Sequence, residues 1–200
     1  MTTDRKYPTL GRWNLNQSQP VFQINSAGVE LRAWIAALQD RRGDRATLRR
    51  AEDVAAVFEI PAFYDLERAM QSHWPEGFSR PTLARIAMTV AWIDVVPAAV
   101  EKGEDPKTKD PILLTRCFGE RLAKAGVSEE RLRRLARMHD VDLFLRLLRG
   151  ALQQIDRTTD PAELGEIVRR WPWEDSREQA HNALCLSYFT AALQTHSAAE

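Results

Sequence analysis

Arginine is the residue type in this sequence best suited to act on a partner. Of the 28 basic residues, 23 are arginine. A guanidinium forks onto phosphate or carboxylate through two parallel hydrogen bonds and stacks on bases, whereas lysine offers a point charge. The densest run is Ile112 to Leu152. It carries Arg116, Arg121, Arg131, Arg133, Arg134, Arg137, Arg146, Arg149 and Lys124 against Glu120, Glu129, Glu130, Asp140 and Asp142. Nine minus five leaves +4 locally, in a chain whose formal net charge is zero. A second cluster, RRGDRATLRR at 41–50, holds five arginines and one acid. Such distributions fit an electrostatic footprint for nucleic acid. A solvated helix face, or a genome rich in arginine codons, gives the same pattern, so the arginines alone leave both readings open.

Other chemistry is sparse. The four histidines, His73, His139, His181 and His196, form no HxxxH pair. His139-Asp140-Val141-Asp142 is similar to the His-Asp doublet of all-α metal phosphohydrolases. That chemistry needs an upstream histidine such as His73 and a downstream acid such as Asp156 or Asp160. The competing reading is a helix break with aspartate caps. No glycine-rich phosphate loop and no GxSxG motif is present. The expectation is a protein with no catalytic residue, no metal and no cofactor. Cys117 and Cys185 lie far apart in apolar helical patterns, which is no disulfide framework. The start, MTTDRKYPTL, lacks the apolar core of a signal peptide, and a cytoplasmic protein is expected.

The elements that must position these arginines read as helices. Residues 1 to 25 show no period and are expected to form a mobile or loosely docked arm, with Trp13 and Phe22 as anchors. From Asn25 or Ser26 as cap, Leu31, Trp34, Ile35 and Leu38 line a first helix that stops at Gly43. Asp53 caps a short helix, Pro61 opens another, Gly77 breaks the pattern, and Ser79 caps a long helix ending near Pro97. EKGEDPKTKDP, 101–111, is charged and lacks a large apolar residue, and reads as a linker. Beyond it, Gly126 ends a helix, Ser128 caps the next, and Asp140 or Asp142 caps a helix with Leu143, Phe144, Leu147, Leu148 and Leu152 inward. Asp160, Pro161 and Glu163 start a further helix with the stripe Leu164, Ile167, Val168 and Trp171. A last helix from Asp175 or Ser176 buries some combination of Ala180, Leu184, Leu186 and Phe189. The expected fold is all-α: two small helical bundles, 26–104 and 105–200, joined by the short charged linker.

Two passages resemble a known family when taken together. LRR at 48–50 is followed by IPAFYDL at 60–66, and GERLAKAGVSEERLRRLAR at 119–137 is followed by LLRGAL. With WPW at 171–173 and the helix of Arg177, these are similar to the small subunit of the type I-E CRISPR surveillance complex Cascade, the CasB family. The resemblance runs from about residue 28 to the end. It implies a non-enzymatic protein of two helical bundles. It further implies that two copies pack head to tail beside the guide-RNA-bearing backbone subunits and contact the large subunit. A basic surface on them is then expected to help hold the R-loop of crRNA, target DNA and displaced non-target strand. The family's basic positions fall on Arg50, Arg131 and Arg137, and on Arg149 and Arg80. One falls on Asp140, a departure that shortens the basic surface there.

The candidate nucleic-acid-binding residues are therefore Arg49, Arg50, Arg80, Arg121, Arg131, Arg134, Arg137 and Arg149. Arg50, Arg131, Arg134 and Arg137 are expected to form one strip across the two bundles. The alternative is a helical adaptor whose arginine faces bind acidic protein surfaces.

Overall fold

A computed structural model of the chain describes residues 27–73, 79–96 and 111–197. The expected arm, the caps at Asn25 and Ser26, the break at Gly77 and residues 101–110 of the linker lie outside them.

The first half begins with α1 (Ala27–Asp40), α2 (Arg42–Arg50), α3 (Val54–Val57), α4 (Pro61–Met70) and α5 (Arg80–Val90). The second half is α6 (Pro111–Lys124), α7 (Glu129–Ala136), α8 (Val141–Gln154), α9 (Pro161–Arg170) and α10 (Glu174–Ser197). No strand occurs among the described residues. An isolated parallel bridge joins Val95 to Thr158. The fold is all-α, as the periodicities predict.

The aspartate and serine caps act where the spacing places them. Asp53 accepts from Ala56 N at 2.9 Å, Ser79 from Thr82 N at 3.3 Å, and Ser128 from Arg131 N at 3.4 Å. Asp140 accepts from Leu143 N at 2.8 Å, and Asp160 from Ala162 N at 3.1 Å. Each satisfies an N–H that the first helical turn leaves without a partner. Asp140, rather than Asp142, starts α8.

Several expectations need correction. The first helix ends at Asp40, and Gly43 lies inside α2, whose single buried residue is Leu48. A helix with one apolar anchor leaves little periodic signal to read. α5 ends at Val90 rather than near Pro97, because a turn at Ala91 and Trp92 follows it. Leu143 is 45% exposed, and Leu145 takes the inward position instead. Leu186 on α10 is 55% exposed.

One apolar core runs from Ala27 to Tyr188. Its centre is α9, which packs against α1 and α5 of the first half and against α6 and α10 of the second. All its residues are buried, including Glu163, Glu166, Arg169 and Arg170. Such a helix can carry charge only if the charges pair. Glu166 does so, taking Arg169 Nε and Nη2 at 3.0 and 2.6 Å and Arg170 Nε at 2.6 Å. Beside α9, Trp171 stacks on Phe144 at 3.6 Å and donates its indole N–H to Met138 O at 2.7 Å. α6 and α10 share the most extensive helix–helix packing among the described residues. Gly119 permits it: a Cβ there would strike the Leu184 carbonyl and the Ser187 hydroxyl.

Candidate nucleic-acid interface

The arginines of α7 divide over two sides of the helix. Leu132, Leu135 and Ala136 face the core, and the arginines occupy the remaining arc. Arg133 pairs with Glu129 one turn back. Arg133 and Arg137 also lie near Cys185 of α10, whose thiol burial pushes up while their charges pull it down. Arg131 and Arg134 turn toward α8. There they meet Arg146 across a groove of about 220 Å³ floored by Leu122, Val127, Leu132, Leu135, Leu147 and Ala151. No described lining residue is acidic.

α8 forms the opposite wall. Phe144, Leu145, Leu148 and Leu152 are buried, which leaves Arg146, Gly150 and Gln154 on the groove side. Arg146 was not among the residues predicted to bind. Its place depends on how α8 meets α7, a tertiary relation the sequence does not signal. Arg149, one turn on from Arg146, is half-buried, and its Nε has no hydrogen-bond partner. Burial and the charge of Arg146 lower its pKa.

The other predicted residues occupy different surroundings. Arg121 reaches inward to Thr159 Oγ1 at 2.9 Å and Glu163 Oε2 at 2.6 Å. Glu163 is fully buried, and desolvation pushes its carboxyl up to about 7 against the pull of Arg121. Arg49 donates to Ala91 O at 2.8 Å and to Asp94 at 2.5 Å. Arg45 and Arg157 join it on the same carboxylate, at 2.7 and 3.1 Å. Burial pushes the Asp94 carboxyl up, but the three guanidiniums outweigh it and hold the group below its usual range. Arg49 and Arg157 both lie over the Trp92 ring, at 5.8 and 5.3 Å. Asp156 and Arg157 take left-handed φ values of 52° and 54° to bring Arg157 there. Arg80 pairs with Glu67 at 2.5 Å and lies over Phe58 and Tyr64. Arg50 is exposed on α2 in a shallow recess shared with Arg42, Arg45 and Arg49.

A family model described as CRISPR-associated protein Cse2 matches residues 44–189. The chain belongs to the Cse2 family. The match takes in α2 from Asp44 on, the turn at Asp94 and both walls of the α7–α8 groove. Cse2 (CasB) proteins are small subunits of the type I-E CRISPR Cascade complex, which carries other Cascade subunits and crRNA. No curated protein and no solved structure matches this Cse2 chain. The described residues hold no group of three histidine, cysteine or acidic side chains able to bind a metal. The Asp140 of the His-Asp doublet is engaged as the α8 cap. No helix among the described residues is long and apolar enough to cross a membrane.

Proposed function

We propose that this Cse2 chain stabilises the R-loop of its Cascade complex without catalysing a reaction, by holding the displaced non-target strand on arginine. The observation that carries the proposal is the α7–α8 groove, where Arg131, Arg134 and Arg146 converge with no acid in the described lining. Three of the other predicted arginines have an internal use. Arg49 serves Asp94, Arg121 serves Glu163, and Arg80 serves Glu67. On this reading Arg131, Arg134, Arg146, Arg137 and Arg50 meet phosphates, while Arg49, Arg80 and Arg121 hold the elements that present them.

Forming an R-loop exchanges a DNA duplex for a heteroduplex of similar stability, so backbone contacts can tip the balance. Guanidiniums fixed on two packed helices bind phosphates without reading sequence and release condensed counterions. They also oppose reannealing of the displaced strand. Zero net charge suits a subunit that should not coat bulk DNA. In the proposed assembly, which acts in the cytoplasm, two copies lie head to tail beside the backbone subunits and against the large subunit. Each has bundles on either side of 101–111 that share α9.

The test is reconstitution of Cascade with wild-type chain or with Arg131, Arg134 and Arg146 all replaced by alanine. Target affinity should fall. The slope of log affinity against log salt should flatten by about 2, at ~0.7 per lost single-strand phosphate contact. The displaced strand should become open to nuclease over one segment. An unchanged slope and footprint would remove the groove from the proposal.

A further inference from the structure

Gly150 has no role if the α7–α8 groove binds phosphate alone. After proline, glycine is the residue least suited to a helix interior. A glycine kept there usually answers the close approach of another element, as Gly119 does. At Gly150 an added Cβ meets nothing within 4 Å. The space it leaves belongs to the groove.

The floor of that space is apolar, and its volume of about 220 Å³ is below the ~300–1,000 Å³ of sites for drug-sized ligands. It suits one flat ring system. It is short for a docked helix, which needs a row of anchors at i, i+4 and i+7. Phosphate requires no such floor. An unpaired nucleotide matches every part: base faces for the leucines, a polar base edge for the Gln154 amide, and phosphates for the rim. Guanidiniums also stack on exposed bases.

We infer that the groove between α7 and α8 takes an unpaired nucleobase of the displaced strand, while Arg131, Arg134 and Arg146 hold the flanking phosphates. The inference rests on the phosphate-binding reading above and adds to it a preference for single strand over duplex, because paired bases are not available to enter.

The experiment uses assembled Cascade and a target whose displaced strand is either intact or abasic at successive positions. The wild-type complex should bind the intact strand about tenfold more tightly than the abasic one, the order of one stacked base. Gly150→Leu, which fills the groove from within and removes a helix glycine, should abolish that preference. It should leave the melting temperature of the chain unchanged or higher. Equal wild-type affinities for intact and abasic strands would overturn the inference, as would a preference that survives Gly150→Leu. A folded Gly150→Leu chain that no longer co-elutes with Cascade would also overturn it and assign the groove to a protein neighbour. If Gly150→Leu fails to fold, the wild-type comparison still decides. The triple arginine-to-alanine variant separates the two claims. If it weakens both strands while intact and abasic never differ, the base pocket alone fails. If it weakens neither, the phosphate reading fails with it.

Discussion

Arg32 on α1 holds Asp160, the N-cap of α9, through hydrogen bonds of 2.8 and 2.6 Å across 128 residues of sequence. The carboxylate therefore starts a central helix and ties it to the first helix of the chain. Only 3% of the Asp160 side chain is exposed. Removing one partner of a buried pair leaves the other charge without compensation, at about 3–5 kcal/mol. Arg32→Leu should cost near the lower end, because Asp160 keeps its cap bond to Ala162. Urea denaturation measures the loss, and a change below about 1 kcal/mol would contradict this account.

Glu163 gives stability a pH dependence. A glutamate carboxyl ordinarily titrates near 4.5, and this one is pushed up to about 7 in the fold, so between those values the folded state binds the extra proton. The contribution is full below about 4.5, declines as pH rises through the window and is lost above about 7. At ~1.36 kcal/mol per unit the total is on the order of 3 kcal/mol. Glu163→Gln fixes the neutral form and should flatten the unfolding free energy between pH 5 and 7. Glu166, on the same helix, shows the opposite. Burial pushes it up, but two guanidiniums outweigh that and lower it.

Arg121 and Arg131 should separate stability from binding. Arg121→Ala leaves Glu163 buried without its cation and should lower the melting temperature. Arg131→Ala removes an exposed side chain and should shift stability by no more than about 0.5 kcal/mol while weakening target binding by Cascade. Paired thermal melts and binding titrations read both. A binding loss from Arg121→Ala without any loss of stability would reverse the assignment.

Gly119→Ala places a methyl against the α10 backbone, which cannot yield as a side chain would. A destabilisation of about 1–3 kcal/mol is expected from the forced separation of α6 and α10. Gly43→Ala meets nothing within 4 Å and should be neutral or mildly stabilising. Thermal melts of the two variants make the comparison.

Much of the helical framework could be read from the sequence because capping is local. Asp53, Ser79, Ser128, Asp140 and Asp160 each announce a helix start within three residues. The character of α9 could not be read in this way. Glu163, Glu166, Arg169 and Arg170 look like a solvated face, and only the packing of α1, α5, α6 and α10 around them shows otherwise. The same limit applies to the arginines. Composition marks Arg121 and Arg131 alike, but a tertiary contact with Glu163 turns one inward. Arg146 gains its place from the way α8 meets α7, which no helical wheel contains. The exchange of Leu143 for Leu145 has a similar origin, since α8 offers more leucines than one face can bury.

The central position of α9 also bears on how the chain is made. α1 and α5 emerge from the ribosome well before α9, whose last residue is Arg170. At ~5–20 residues per second, synthesis from Val90 to Arg170 takes about 4–16 seconds. During that interval the faces of α1 and α5 that α9 will cover stay open to water, or to a chaperone. The amino-terminal half therefore depends for its completion on a helix that the ribosome delivers late.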